Sequence, residues 1–189
     1  MKTFYKIILS FIIVISILPS AKTFAHSCTS FGESFKYWID CNNHTDTAII
    51  KFNLGVMDAT YKGYVTSGAK MWNDSGLVLI SETTTYSRNF IHTYSDFNSG
   101  YTAVFYNYES NSSGHLQSWA VGMNTAEMDD STAAQNRTTM AHEFGHVLGL
   151  NDLSQTTNRD TLMYKNRGSR TVTSPTSWDT TGVKKILGQ

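Results

Sequence analysis

Apolar and polar positions alternate with two different periods along this chain, and the changes of period mark its elements. Over residues 58–75, Tyr61, Tyr64, Val65, Gly68 and Trp72 recur at helical spacing, with Asp58 a fair N-cap and Gly76 a stop. Residues 35–41 (FKYWIDC) are rich in aromatic and β-branched side chains and predict a strand. Residues 77–81, 89–94 and 102–108 read as further strands, with turn residues at 98–100 and 111–114. A short strand over 119–124 precedes a helix over about 132–150, and a last helix spans about 179–187. The order of strand, helix, several strands, helix, loop and helix predicts one α+β domain: a sheet with two helices packed against it. There is no internal repeat and no low-complexity tract.

The first 25 residues do not fit that pattern. Lys2 and Lys6 precede an apolar run from Ile7 to Leu18, and Thr23-Phe24-Ala25 offers a cleavage site. The run is short for a membrane span. Residues 1–25 therefore read as a signal peptide and 26–189 as the mature domain, a secreted, extracellular product with no stable membrane association. The whole chain carries 15 basic and 15 acidic residues, and removing Lys2, Lys6 and Lys22 leaves 12 against 15, a net charge of −3. No basic stripe remains, which argues against nucleic acid as a partner. Nothing in the composition calls for a partner subunit, and a monomer is expected. Cys28 and Cys41 are expected to pair in an oxidising compartment.

Residues 142–152, H-E-F-G-H-V-L-G-L-N-D, carry the chemistry. His142 and His146 stand four apart, so both imidazoles leave one helix face a turn from each other, at a separation suited to one zinc ion. Glu143 can stand beside the metal as a base without binding it. Gly149 permits the helix to end in a turn. A catalytic zinc takes three protein ligands and keeps one position for water. Beyond His146 there is no histidine and no glutamate, which leaves Asp152, Asp160 and Asp179. Asp152 follows the Gly149 turn closely enough to reach the metal and is the expected ligand. The other reading has Asp152 bonded to loop backbone and His92 or His115 arriving from upstream.

This stretch resembles the long zinc-binding consensus of metzincin peptidases, H-E-x-x-H-x-x-G-x-x-H, with Asp152 in the last position. An aspartate there is similar to the snapalysin group. Leu162-Met163-Tyr164 resembles the Met-turn of matrixins, and 178–188 (WDTTGVKKILG) the end of their catalytic domain. Tyr37–Asp40 and Ala69–Asn73 are a weaker likeness to the first strand and helix of that domain. The resemblance implies a zincin/metzincin-like domain with a twisted, mostly parallel sheet, an active-site helix and a C-terminal helix. It also implies that Met163 packs beneath the metal without binding it. A matrixin-type cysteine switch and a histidine-rich structural-zinc loop are both absent from this sequence.

The function expected is a secreted zinc endopeptidase. It would hydrolyse internal bonds of protein or peptide substrates by zinc-activated water, with Glu143 as general base. The rival is a secreted, non-catalytic binding or effector protein that contains zinc. Asp129-Asp130 offers oxygen ligands for Ca2+, with helix capping as the ordinary alternative. Substrate is expected to lie along an exposed strand edge, and residues 118–124 are the candidate edge by analogy with the strand before the metzincin helix. Side-chain preference is expected to depend on the loop after Met163.

Overall fold

A computed structural model describes residues 28–189, so the expected leader over 1–25 and the adjoining start of the mature chain lie outside the described residues. A small antiparallel pair, β1 (Phe31–Gly32) and β2 (Tyr37–Trp38), precedes the main domain. The main sheet holds β3 (Ile49–Leu54), β4 (Leu79–Glu82), β5 (Phe90–Tyr94), β6 (Ala103–Ser110) and β7 (Leu116–Asn124) in the order β4-β3-β5-β7-β6. Every neighbouring pair is parallel except β6 with β7. The helices are α1 (Ala59–Asn73), the single turn α2 (Thr125–Met128), α3 (Ala133–Leu148) and α4 (Ser177–Ile186). This is the mixed α and β domain with a mostly parallel sheet that the sequence predicts.

The strand expected over 35–41 is a correction. A 3-10 turn at Glu33–Phe35 and a left-handed Lys36 (φ 59°) break it, leaving the two-residue strand Tyr37–Trp38 and an isolated bridge from Ile39 to Leu150. The sheet instead begins with β3, where Ile50 and Phe52 are buried and Ile49 and Lys51 are exposed. That period of two is the mark of a strand with one face in the core.

On α1, Val65, Gly68, Ala69 and Trp72 are the buried positions, spaced to form one stripe. Trp72 is fully buried, and its indole N–H donates to the Ala141 carbonyl of α3 at 2.7 Å. A buried indole N–H without a partner would be costly, so this bond fixes how the two helices meet. From α3, Phe144 packs against Phe52 of the sheet, ring centroids 5.7 Å apart.

Cys28 and Cys41 are bridged, with Cα atoms 5.6 Å apart, and close the N-terminal segment on itself. Among the described residues no helix is long and apolar enough to cross a membrane.

Residues 118–124, the candidate substrate edge, lie inside the sheet. β7 is hydrogen-bonded to β5 on one side and to β6 on the other. The edge on this side of the sheet is β6, which no sequence pattern distinguishes from an interior strand.

Candidate metal centre and cleft

Helix α3 opens with a capping box in which Thr132 accepts from the Gln135 amide and the Gln135 side chain accepts from the Thr132 amide. Such a start is worth about 1 kcal/mol to a helix. It ends at Gly149, whose φ of 105° suits glycine, and the Leu150 amide reaches back to the Gly145 carbonyl at 2.9 Å. The chain then reverses and brings Asp152 under the helix.

The structure brings His142, His146 and Asp152 together: one ligand atom from each lies within 4.8 Å of the others. The two imidazoles stand nearly perpendicular with centroids 4.8 Å apart. His142 Nε2 lies 3.1 Å from Asp152 Oδ1, and His146 Nε2 lies 3.8 Å from the same oxygen. The outer nitrogens face carbonyls, His142 Nδ1 that of Leu162 at 2.9 Å and His146 Nδ1 that of Leu150 at 2.8 Å. A carbonyl can only accept, so each Nδ1 carries the proton and each Nε2 keeps its lone pair for the centre. The Arg170 guanidinium also lies 3.0 Å from His142 Nδ1, but two donors cannot share that contact, and its Nη2 is satisfied by the Tyr164 carbonyl at 2.7 Å. Two neutral imidazoles and a carboxylate are donors that zinc accepts. Carbonyls behind the ring nitrogens are the support such ligands ordinarily have.

Glu143 is buried beside this group, 5% exposed. Loss of solvent pushes its carboxyl up to about 7, with the Asp152 charge adding to the rise. His146, Arg170 and the main-chain N–H of Phe105 in β6 oppose it. Burial would raise Asp152 too, but its contact with His142, with His146 and Arg170 nearby, holds it below the ordinary carboxylate range. Burial lowers His146, helped by His142.

Met163 is 1% exposed and sits under α3 where Gly145 leaves room; a Cβ on Gly145 would lie 2.3 Å from the Met163 sulfur. The Met163 turn is held twice. The Leu153 amide donates to the Met163 carbonyl at 2.8 Å, tying it to the turn that bears Asp152. From below, the buried Asp179 carboxylate accepts from the amides of Leu162 (3.0 Å) and Met163 (3.2 Å) while capping α4 through Thr176.

These residues open on a cleft of about 760 Å³, walled by Gly100 to Phe105 on one side and by Lys165 to Gly168 with Arg170 on the other. Phe105 stacks on His146, centroids 6.1 Å apart. The competing ligand candidates are elsewhere. Asp160 pairs with Lys36 at 2.5 Å, Asp179 is engaged as described, and His92 lies between the rings of Phe90 and Tyr94 on the sheet face opposite Ile91. His115 meets His44 edge to face, ring centroids 5.0 Å apart. Asp129 accepts the Tyr61 hydroxyl, Asp130 is exposed, and among the described residues no further ligand joins them into a metal-sized group. Sequence reading passed over Phe105, Arg167 and Arg170. The three cations at 165, 167 and 170, in a stretch with no acid between them, were the available signal.

No protein-family model matches the sequence, and no curated protein matches it. Two solved structures of myroilysin resemble it in fold, with TM-scores of 0.54 and 0.53, at 12% and 11% identity, each over 80% of this chain and over 98% and 89% of theirs. High choriolytic enzyme 1, a hatching enzyme zinc-protease of the medaka fish Oryzias latipes, aligns at 10% identity and a TM-score of 0.49 over 86% of this chain and 99% of its own. At such identities the myroilysin likeness shows the fold alone, a single mixed α and β domain with a mostly parallel sheet.

Proposed function

We propose that the chain is a secreted zinc-dependent endopeptidase of metzincin type, exported by residues 1–25. His142, His146 and Asp152 would hold the metal, and Glu143 would serve as general base. One observation supports this above the others: two deprotonated Nε2 atoms and a carboxylate oxygen converge on one point in a cleft, with a buried glutamate beside them. Three protein ligands rather than four is the donor count of a catalytic zinc site. The snapalysin-like aspartate and the matrixin-like Leu162-Met163-Tyr164 turn agree with this reading.

Zinc bound there supplies Lewis acidity toward a water molecule and the substrate carbonyl. The remaining work falls to the chain. Glu143 takes a proton as the water oxygen bonds to the carbonyl carbon, and passes it to the amide nitrogen as the C–N bond breaks, leaving a carboxylate and an amine. A carboxyl drawn up to about 7 can both accept and release that proton near neutral pH. The Leu162 and Leu150 carbonyls keep both imidazoles in the tautomer that presents Nε2. An extended substrate can pair along the Ala103 to Phe105 end of β6, which lines the cleft and among the described residues has a strand partner only in β7. Backbone pairing of this kind suits loops and unfolded segments of proteins.

Purified protein should carry one zinc per chain and hydrolyse casein. Chelation should abolish hydrolysis and added zinc restore it. Glu143→Ala should retain the metal and lose activity at least a hundredfold. Metal-loaded wild type that leaves casein intact would overturn the enzyme reading, and protein that binds no zinc would overturn the site.

A further inference from the structure

Behind the cleft wall lies a second, smaller pocket of about 180 Å³ between α3 and the loop over 165–173. Thr138 and Val172 contribute to its walls, and Arg167 and Arg170 line both it and the main cleft. The loop is anchored: Arg167 Nη2 donates to the Ser131 hydroxyl at 2.9 Å, Arg170 binds the Tyr164 carbonyl, and the Thr138 hydroxyl reaches the Thr173 carbonyl at 3.2 Å. Even so, Nη1 of each arginine is buried with no partner. Among the described residues no carboxylate lies within ion-pair distance of Lys165, Arg167 or Arg170. Burial disfavours the Arg170 charge and Arg167 repels it, while Asp152, Glu143 and Asp179 attract it from beyond ion-pair distance.

Two guanidinium groups crowded together with donors to spare are unfavourable unless an anion joins them. A carboxylate entering between them would supply the missing acceptors through charge-assisted hydrogen bonds, which are stronger than neutral ones. The space suits a side chain and is continuous in its lining with the place where a scissile bond would sit. We infer that this pocket receives an acidic side chain of the substrate, so that cleavage occurs beside aspartate or glutamate. This rests on the peptidase reading and names the substrate class of the same site.

The test uses quenched fluorescent peptides identical except for Glu or Gln next to the cleaved bond, placed on its amino side in one pair and its carboxyl side in another. Wild type should prefer Glu about tenfold or more in kcat/KM at one of these positions. Arg167→Gln should bring the Glu/Gln ratio near unity, read as a ratio so that any general change in activity cancels, and Arg167→Lys should keep part of the preference. Mass spectrometry of casein digests should show acidic residues enriched at the same position, a readout that needs no variant. Equal cleavage of Glu and Gln peptides at both positions, by enzyme that digests casein, overturns the pocket and leaves the peptidase reading intact. If wild type cleaves nothing, the peptidase reading falls, and fluorescence anisotropy with labelled peptides on Glu143→Ala decides the pocket. Tighter binding of a Glu peptide would then retain it, and equal binding would remove it.

Discussion

Asp179 makes no contact with the candidate metal ligands, yet its loss should be felt there. Replacing it with alanine takes the acceptor from the buried amides of Leu162 and Met163, bonds of 3.0 and 3.2 Å. An orphaned buried N–H costs about 1–3 kcal/mol. Loss of half the α4 capping box adds about 1 kcal/mol. With two such amides the sum is roughly 3–7 kcal/mol, against a total of about 5–15 for a domain. With an m-value near ~2 kcal/mol/M, the urea midpoint of Asp179→Ala should fall by about 2 M. The turn that slackens also presents the Leu162 carbonyl to His142 Nδ1, so zinc affinity, measured by competition with a chromogenic chelator, should drop about 10–100-fold. Asp179→Asn keeps one acceptor and should fall between the parent and the alanine variant in both measurements. An alanine variant within about 1 kcal/mol of the parent, binding zinc equally well, would refute the idea that this carboxylate holds the turn.

Three other perturbations test separate parts of the structure. Gly145→Ala gains about 1 kcal/mol of helix propensity but drives a Cβ to 2.3 Å from the Met163 sulfur, an overpacking that costs about 1–3 kcal/mol. Its urea midpoint should therefore fall, and a rise would mean that Met163 moves aside freely. Replacing Cys28 and Cys41 together with serine should destabilise the domain by about 3 kcal/mol, read from the same denaturation curves, and no change would show that the closed loop adds nothing. Glu33 is pushed up by burial, but hydrogen bonds from Ser154, Gln155 and Asn158 outweigh this and hold it below 4.5. Its stabilisation is thus present above about pH 4.5 and lost as pH falls through the folded value. Thermal midpoints should drop more between pH 5 and 3 in the parent than in Glu33→Gln, and parallel curves would contradict that linkage.

Features written locally in the sequence were legible there. The α1 stripe from Val65 to Trp72, the Gly149 stop and the four-residue histidine spacing all depend on neighbours within a turn or two. The order of elements implied a sheet with two helices, while its mostly parallel direction came only with the metzincin resemblance. Long-range choices were not legible. β3 was missed although Ile50 and Phe52 alternate cleanly, because the aromatic stretch at 35–41 offered a richer strand signal. That stretch was diverted by Lys36 and by Ile39, which bridges to Leu150 beyond the end of α3. The identity of the edge strand was likewise hidden, since only the order of pairing sets β6 outside β7. Arg167 and Arg170 gain meaning only when the loop folds them against α3.

The first described residues hold the far side of the candidate centre. Ile39 bridges Leu150, the Asp40 amide binds the Gly149 carbonyl at 2.8 Å, and Asn151 donates to Trp38 at 2.7 Å. Glu33 grips Ser154 and Gln155 just past Asp152. All of this segment lies within the loop that Cys28 and Cys41 close, so if the proposed centre takes an ion, thiol oxidation and ion capture are coupled through it. By reciprocity, reducing the bridge would then weaken ion binding by the same factor that a bound ion raises the bridge's resistance to reductant.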